Sequence, residues 1–299
     1  MSTFRPAARA LVAAALAVAV VAPGRASAES EQGSPWMDLS NARARLVAGA
    51  PATKSAKAYL AGIELTLADG WKTYWRMPGD AGVPPAFDWS GSTNVASVKV
   101  LYPAPHRMHE AGAETVGYKT SVVFPVEVVP KDPAQPIDLA LVMELGICRD
   151  ICIPAEAKMS VKLVPATMAG KPSAALLAAL DRVPRPDAGR RSLDPRVLTT
   201  SAKLDGPAPR LAVEAIFPRD SSTADAFLEA PGGLYVPMLK RAPDIGGTQA
   251  SLTADANEAV VRFEADLSRT GNAQDLKGKT LTLTLVSSAG ATETTWTLP

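Results

Sequence analysis

Short runs of alternating apolar and polar residues constrain the fold of this chain more than any other feature of its sequence. This period-two alternation is the pattern of half-buried strands. In the first half of the chain it recurs at 63–67, 97–101, 122–129, 139–145 and 159–164. Clusters of Gly, Pro and Asp separate the runs, and long helical periodicity is missing there. The pattern predicts an antiparallel β-sandwich, in which Pro125 restricts its run to a sheet edge or a bulged end.

The alternation pauses after residue 164 and then resumes at 210–217, 259–267, 281–286 and 294–298. The Ala- and Leu-rich run 172–180 between the two halves predicts a short helix with Pro172 in its first turn. Gly232-Gly233 and Gly246-Gly247 indicate turns in the second half. We therefore predict an all-β chain with one sandwich over 29–168, a linker with a short helix over 169–200, and a second small β-sandwich over 201–299.

The amino terminus has the pattern of a signal peptide over 1–28. Arg5 and Arg9 precede an uninterrupted apolar stretch at 11–22, and small residues at 26–28 form a cleavage site. The apolar stretch is too short to span a bilayer, which needs roughly 20 residues. We expect a mature protein that is exported to the periplasm and is not embedded in the membrane.

Composition excludes several classes of function. Lys and Arg (31) nearly balance Asp and Glu (30), and a net charge of +1 argues against a nucleic-acid partner held by bulk electrostatics. The chain has only two cysteines and two histidines, which excludes multi-zinc modules and iron–sulfur clusters. No nucleophile elbow, phosphate-binding glycine loop or nucleotide fingerprint is present, so we predict no cofactor.

The two cysteines, Cys148 and Cys152, are the main candidate site. In an extended strand their Cα atoms would lie about 13 Å apart, whereas a disulfide needs roughly 4.4–6.8 Å. A bridge therefore requires a turn across Arg149-Asp150. A loop this short adds only about 2 kcal/mol of stability, so the pair could be an inert local bridge, a Cu(I) clip or a labile redox pair.

His106 and His109 are weaker candidates. They flank Met108, and together with Cys148 and Cys152 they could bind copper. The alternative is a solvated loop that carries two exposed histidines.

A few further residues at 71–80 have two interpretations each. Trp71, Tyr74 and Trp75 either line a partner groove around the cysteines or pack the edge of the sandwich. Arg76 and Asp80 are interpreted as salt-bridge and turn residues rather than as acid–base catalysts.

Four segments resemble a known family. They are 146–154 (GICRDICIP) with Ala155-Glu156-Ala157 after it, 70–82 (GWKTYWRMPGDAG), 85–91 (PAFDWSG) and Gly117-Tyr118-Lys119. In this order they are similar to the N-terminal periplasmic domain of DsbD-like thiol:disulfide interchange proteins, with most similarity to the ScsB (suppressor of copper sensitivity) branch. The resemblance covers roughly 36–164.

The resemblance implies an immunoglobulin-like β-sandwich in which Cys148 and Cys152 are the exchanging pair, shielded by a cap loop that should fall within 106–116. It implies protein-disulfide reductase-type exchange with periplasmic thioredoxin-fold proteins. Family members usually continue into a membrane domain and a thioredoxin-like domain that this sequence lacks, so we expect a separately encoded membrane thiol reductase as electron donor. The alternatives are a Cu(I)-binding copper-tolerance protein and a non-catalytic interaction module with an inert disulfide.

Overall fold

A computed structural model describes residues 1, 33–51, 58–110, 112–164, 172–219, 223–243, 257–268, 270 and 273–299. The predicted signal peptide, the first part of the predicted linker and the Gly246-Gly247 turn lie outside these described residues. No helix within the described ranges is long and apolar enough to cross a membrane.

The first half of the chain folds into two antiparallel sheets that face each other across an apolar core. Its strands are β1 (Met37–Leu39), β2 (Ala42–Pro51), β3 (Tyr59–Leu67), β4 (Lys72–Gly79), β5 (Ala86–Asp88), β6 (Val95–Val100), β7 (His106–Glu110), β8 (Ala113–Lys119), β9 (Ser121–Pro130), β10 (Ile137–Cys148) and β11 (Cys152–Leu163). One sheet has the order β1-β2-β3-β9-β6 and the other β11-β10-β4-β8-β7, with β5 paired to β10. The predicted all-β, immunoglobulin-like class is confirmed.

The described residues of the second half form one α-helix, short 3-10 turns and two smaller sheets. Its elements are α1 (Ala174–Asp181), β12 (Arg185–Pro186), β13 (Arg196–Lys203), β14 (Arg210–Pro218), β15 (Ala224–Glu229), β16 (Lys240–Arg241), β17 (Glu258–Asp266), β18 (Thr280–Ser287) and β19 (Ala291–Thr297). The sheets have the orders β12-β19-β18-β15 and β13-β14-β17-β16. Helix α1 begins two residues later than predicted, because the Ser173 side chain caps it by accepting a hydrogen bond from the Leu176 backbone N–H.

Pro125 shows how a proline is tolerated inside a sheet. The prediction that it restricts its run to a sheet edge is wrong, because β9 lies between β3 and β6. The Pro125 carbonyl accepts a hydrogen bond from the Leu101 backbone N–H at 2.8 Å. The nitrogen of a strand residue points to the same side as its carbonyl, so the missing N–H of Pro125 faces the point where β6 has just ended at Val100.

The two halves share apolar contacts. Phe227, Met238, Val286 and Ala291 of the second half belong to the same buried cluster as the core of the first sandwich. Trp75 of β4, which is fully buried, meets Phe227 of β15 with ring centroids 5.6 Å apart. The first sandwich therefore extends its core into the second half through β4.

Ion pairs surround this apolar contact. Arg76 pairs with Glu229 at 2.8 Å and with Glu293, and Arg107 pairs with Asp225 at 2.6 Å. These side chains are largely withdrawn from solvent, so the loss of one partner would leave a poorly solvated charge. Strand β4 is thus fixed from both sides, by its own sheet and by the second half of the chain.

Two tyrosines in the first core make stability sensitive to alkaline pH. Burial raises the pKa of Tyr102 to about 12, and it raises the pKa of the fully buried Tyr118 well above its ordinary value. Tyr118 Oη also donates a hydrogen bond to the Pro103 carbonyl at 2.8 Å. In the unfolded chain both phenols ionise near their ordinary pKa of about 10.

We predict that the free energy of unfolding falls as pH rises above about 10. The folded pKa of each tyrosine is raised, so its contribution is complete below pH 10 and is lost toward the folded pKa, at up to about 1.4 kcal/mol per pH unit for each group. Urea unfolding at a series of pH values measures this slope. Tyr102→Phe should be less sensitive between pH 10 and 12 than the wild-type protein, and an identical slope in the two proteins would contradict the assignment.

Candidate functional site

The β10–β11 hairpin brings the two cysteines together. The strands pair in one continuous register from Ile137↔Leu163 to Cys148↔Cys152, with no bulge. Beyond the last pair the Arg149 N–H donates to the Ile151 carbonyl at 3.0 Å, which makes the cysteines a directly opposed pair without ladder hydrogen bonds of their own. Such pairs have the shorter Cα separation, and the two Cα atoms are 4.1 Å apart and joined by a disulfide. The turn that the spacing requires is therefore present.

The two sulfur-bearing residues differ in their access to solvent. Cys148 is 1% exposed, whereas Cys152 is exposed to solvent. A thiolate from another protein therefore has better access to Cys152 than to Cys148. This asymmetry gives the pair one accessible atom and one internal partner.

A row of four residues crosses the sheet at the level of the disulfide. Cys152 faces Cys148, Cys148 faces Lys72 at the start of β4, and Lys72 faces Lys119 at the end of β8. Residues opposed across antiparallel strands place their side chains on the same face of the sheet. This is the outer face, because the core face of β10 is formed by Ile147 and the alternate residues before it. Lys72 is nevertheless only 5% exposed.

Tyr74 provides the nearest polar group to the accessible sulfur. Its hydroxyl lies 3.4 Å from Cys152 Sγ. Its ring lies beside Gly146, where a Cβ atom would be 3.5 Å from a ring carbon, and Gly117 lies opposite Tyr74 on β8, where any side chain would meet the backbone of β4. Burial raises the pKa of Tyr74. The phenol is therefore protonated at neutral pH and can donate a hydrogen bond to a Cys152 thiolate.

The loop 80–85 packs against the site. Gly82 has φ +130°, and any side chain there would begin 2.5 Å from a ring carbon of Tyr74, so the loop can lie on the ring only with glycine at this position. Val83 approaches Gly146 and is 56% exposed. Asp80 anchors the loop by accepting hydrogen bonds from the Glu114 N–H and from the Tyr235 hydroxyl.

This arrangement differs from the predicted cap within 106–116. That segment lies in the β7–β8 hairpin, and its tip is next to Gly79 at the far end of β4 from Lys72. The residues that pack against Tyr74 and Gly146 come instead from the loop 80–85, which follows β4 directly.

The aromatic residues in and just before β4 divide between the two faces of the sheet. Trp71 and Trp75 belong to the buried core, which supports packing rather than a partner groove, whereas Tyr74 faces the disulfide. Arg149, in the hairpin loop, stacks over the Trp71 ring at 5.3 Å and pairs with Asp150 at 3.0 Å. The charge of Arg149 is therefore neutralised locally on an exposed loop.

The histidines do not join the cysteines. His106 lies on β7, three strands from Cys148 in the sheet order, which corresponds to about 14 Å. Its Nε2 is 3.3 Å from Arg182, and its pKa is lowered by burial and by that arginine. His109 is 68% exposed beside Glu114. Within the described part of the chain, no group of three or more His, Cys, Asp or Glu residues could hold a metal ion.

Arg76 and Asp80 have the structural partners that the sequence suggested. Arg76 is held by Glu229 and Glu293, and Asp80 accepts hydrogen bonds in its loop. Sequence reasoning missed Lys72, and for Tyr74 it left open whether the side chain lines the cysteines or packs the edge of the sandwich. Both lie in the segment 70–82 that carries the resemblance, and only the pairing of β4 with β10 reveals which cysteine each one faces.

The β-sandwich that carries the cysteine pair matches a family of thiol:disulfide interchange proteins. Residues 43–163 match the family model described as "Thiol:disulfide interchange protein DsbD, N-terminal". This part of the chain therefore matches the DsbD N-terminal domain family, as the four sequence segments predicted. No curated protein sequence matches the chain.

A solved structure extends the likeness beyond this domain. The N-terminal periplasmic domain of ScsB from Proteus mirabilis is 22% identical, with a TM-score of 0.61. The alignment covers 90% of this chain and 99% of that one. The shared fold therefore includes the second half of the chain as well as the domain that carries the cysteines.

The Tyr74 hydroxyl should stabilise a thiolate at Cys152. In a Cys148→Ala background, which leaves one thiol, we predict that Tyr74→Phe raises the pKa of Cys152 by about one unit, since a hydrogen bond to a charged group contributes roughly 1.5–3 kcal/mol. The pH dependence of the alkylation rate measures this pKa. Tyr59→Phe is the matched control, because Tyr59 lies on β3 in the other sheet. An unchanged pKa in Tyr74→Phe would show that the hydroxyl does not act on Cys152.

Proposed function

We propose that the protein is a periplasmic thiol–disulfide exchange protein in which Cys148 and Cys152 alternate between dithiol and disulfide. The observation that carries this proposal is the asymmetry of the pair, with Cys152 exposed and Cys148 buried directly opposite it. An exchange site needs one sulfur that a partner can reach and a second sulfur placed to release that partner. An inert bridge needs neither property.

In the reducing direction the exposed cysteine acts first. The Cys152 thiolate attacks one sulfur of a client disulfide, a Cys152–client bond forms, and the second client sulfur leaves as a thiolate. The Cys148 thiolate then attacks Cys152 Sγ, which forms the internal disulfide and expels the first client sulfur. Two electrons pass to the client, whose two thiolates take up protons from solvent. The same steps in reverse reload the pair from a reduced donor.

The partners are inferred from the resemblance of the domain. The clients would be periplasmic thioredoxin-fold proteins, and the donor would be a separately encoded membrane thiol reductase. The periplasmic location is supported by the signal-peptide pattern over 1–28 and by the described location of the Proteus mirabilis domain. A role in copper tolerance would follow if the clients themselves serve copper resistance.

The geometry favours exchange over direct copper binding. A reduced pair could offer two thiolates to Cu(I), but His106 and His109 are placed three strands away and have other partners. The Tyr74 hydroxyl beside Cys152 is a hydrogen-bond donor, which suits a thiolate nucleophile.

Trapping tests the proposal and the order of attack. We predict that Cys148→Ala, mixed with an oxidised periplasmic thioredoxin-fold protein, accumulates a mixed disulfide through Cys152, because this variant lacks the internal thiol of Cys148 that would release the client. Cys152→Ala leaves only the buried thiol and should trap far less. Non-reducing gel electrophoresis followed by mass spectrometry identifies the linked residues.

The variant that lacks both cysteines is the control for non-specific adducts. If neither single variant forms a mixed disulfide while the disulfide of the wild-type protein stays oxidised in the presence of reduced client, the exchange function is wrong. If Cys152→Ala is the better trap, exchange stands but the order of attack is reversed.

A further inference from the structure

Lys72 is a buried cation placed directly beside the less accessible sulfur. It is the residue of β4 that pairs with Cys148, so the two side chains leave the same face of the sheet with Cβ atoms about 5 Å apart. Lys72 is 5% exposed and Cys148 is 1% exposed. Both residues therefore lie where water is largely excluded, and a charge acts more strongly there than at the surface.

We propose that Lys72 is an electrostatic positioning residue that stabilises the thiolate of Cys148 during exchange. This inference rests on the proposed function and assigns a role to a residue outside the cysteine pair. Lys72 acts through Cys148 and makes no bond to the client.

Both steps of exchange place a negative charge on Cys148, which a nearby cation would stabilise. The Cys148 thiolate is the nucleophile when a client is released, and it is the leaving group when a donor thiolate attacks Cys152 Sγ. In the first step Cys148 first loses its proton to solvent, the Cys148–Cys152 bond forms and the Cys152–client bond breaks. In the second step the Cys148–Cys152 bond breaks and its electron pair stays on Cys148. Burial alone disfavours a thiolate in both steps.

The other charged groups around the pair are less suited to this role. Arg149 is engaged with Asp150 and with the Trp71 ring on the exposed loop. Lys119 is exposed and lies one strand further from Cys148 than Lys72 does. Tyr74 is directed at Cys152. Lys72 is thus the cation in the position opposite Cys148.

The position of Lys72 is unfavourable for the lysine itself. Burial, and then the neighbouring charge of Lys119, lower the pKa of Lys72. Burying an ammonium group destabilises a fold unless something compensates for the lost hydration. A thiolate on Cys148 would supply one such compensation during exchange.

The test is the pKa of each thiol in the reduced protein, followed by the chemical shift of isotope-labelled cysteine Cβ atoms against pH. In Lys72→Met the pKa of Cys148 should rise by about one unit or more, the size expected for loss of an adjacent opposite charge. The pKa of Cys152 should move much less. Lys72→Arg keeps the charge and should keep the pKa of Cys148 near its wild-type value.

Lys158→Met is the matched control. Lys158 lies on β11, pairs with Glu156 and is 67% exposed. It is six residues along the strand from Cys152, which corresponds to about 20 Å. Its removal should leave both thiol pKa values unchanged.

A folded Lys72→Met with an unchanged Cys148 pKa would overturn the proposal. If that variant does not fold, the wild-type protein decides: a Cys148 pKa at or below the ordinary value of about 8.5 supports a compensating cation, and a pKa well above it contradicts one. Neither measurement needs a client. The test of Lys72 is therefore independent of the trapping experiment, and either one can contradict its own proposal without the other.

Discussion

The continuous register of the β10–β11 hairpin is the constraint on which the site depends. Ile137, Leu139, Leu141, Met143 and Ile147 are all buried on the core face of β10, so the alternation of the sequence fixes which face each residue takes. A slip of one residue would turn every side chain of the strand to the other face. The apolar core thereby holds Cys148 opposite Cys152, even though neither cysteine belongs to that core.

The same register sets the surroundings of each sulfur. Because β10 meets β4 at Cys148↔Lys72, the next outward-facing residue of β4, Tyr74, comes within reach of Cys152. Thr73, between them, points inward and donates a hydrogen bond to the Gly146 carbonyl at 3.0 Å. Strand β4 thus places Lys72 opposite Cys148 and the Tyr74 hydroxyl beside Cys152. Strand β4 is fixed further along by the Arg76 ion pairs, which links the site to the second half of the chain.

Much of this could be predicted from the sequence. Alternation located the long strands, because half-buried strands must alternate, and the four-residue spacing of the cysteines required the turn that forms at Arg149-Asp150. Pairings between distant segments could not be predicted, since Lys72 and Cys148 are 76 residues apart and no local pattern states their register. The edge prediction for Pro125 failed because its missing hydrogen bond falls where β6 ends at Val100, and no local pattern in the sequence states that pairing. The cap was placed by order along the chain, whereas the loop at the site is determined by how Gly82 packs on Tyr74.

The central claim is that Cys148–Cys152 is a redox pair rather than a structural bridge, and its reduction potential tests that claim most directly. Equilibration of the purified protein with glutathione buffers, followed by quantification of the reduced and oxidised forms, gives the potential. We predict a value in the range of proteins that exchange disulfides, roughly −120 to −230 mV. A potential below about −300 mV, typical of inert structural disulfides, would contradict the account.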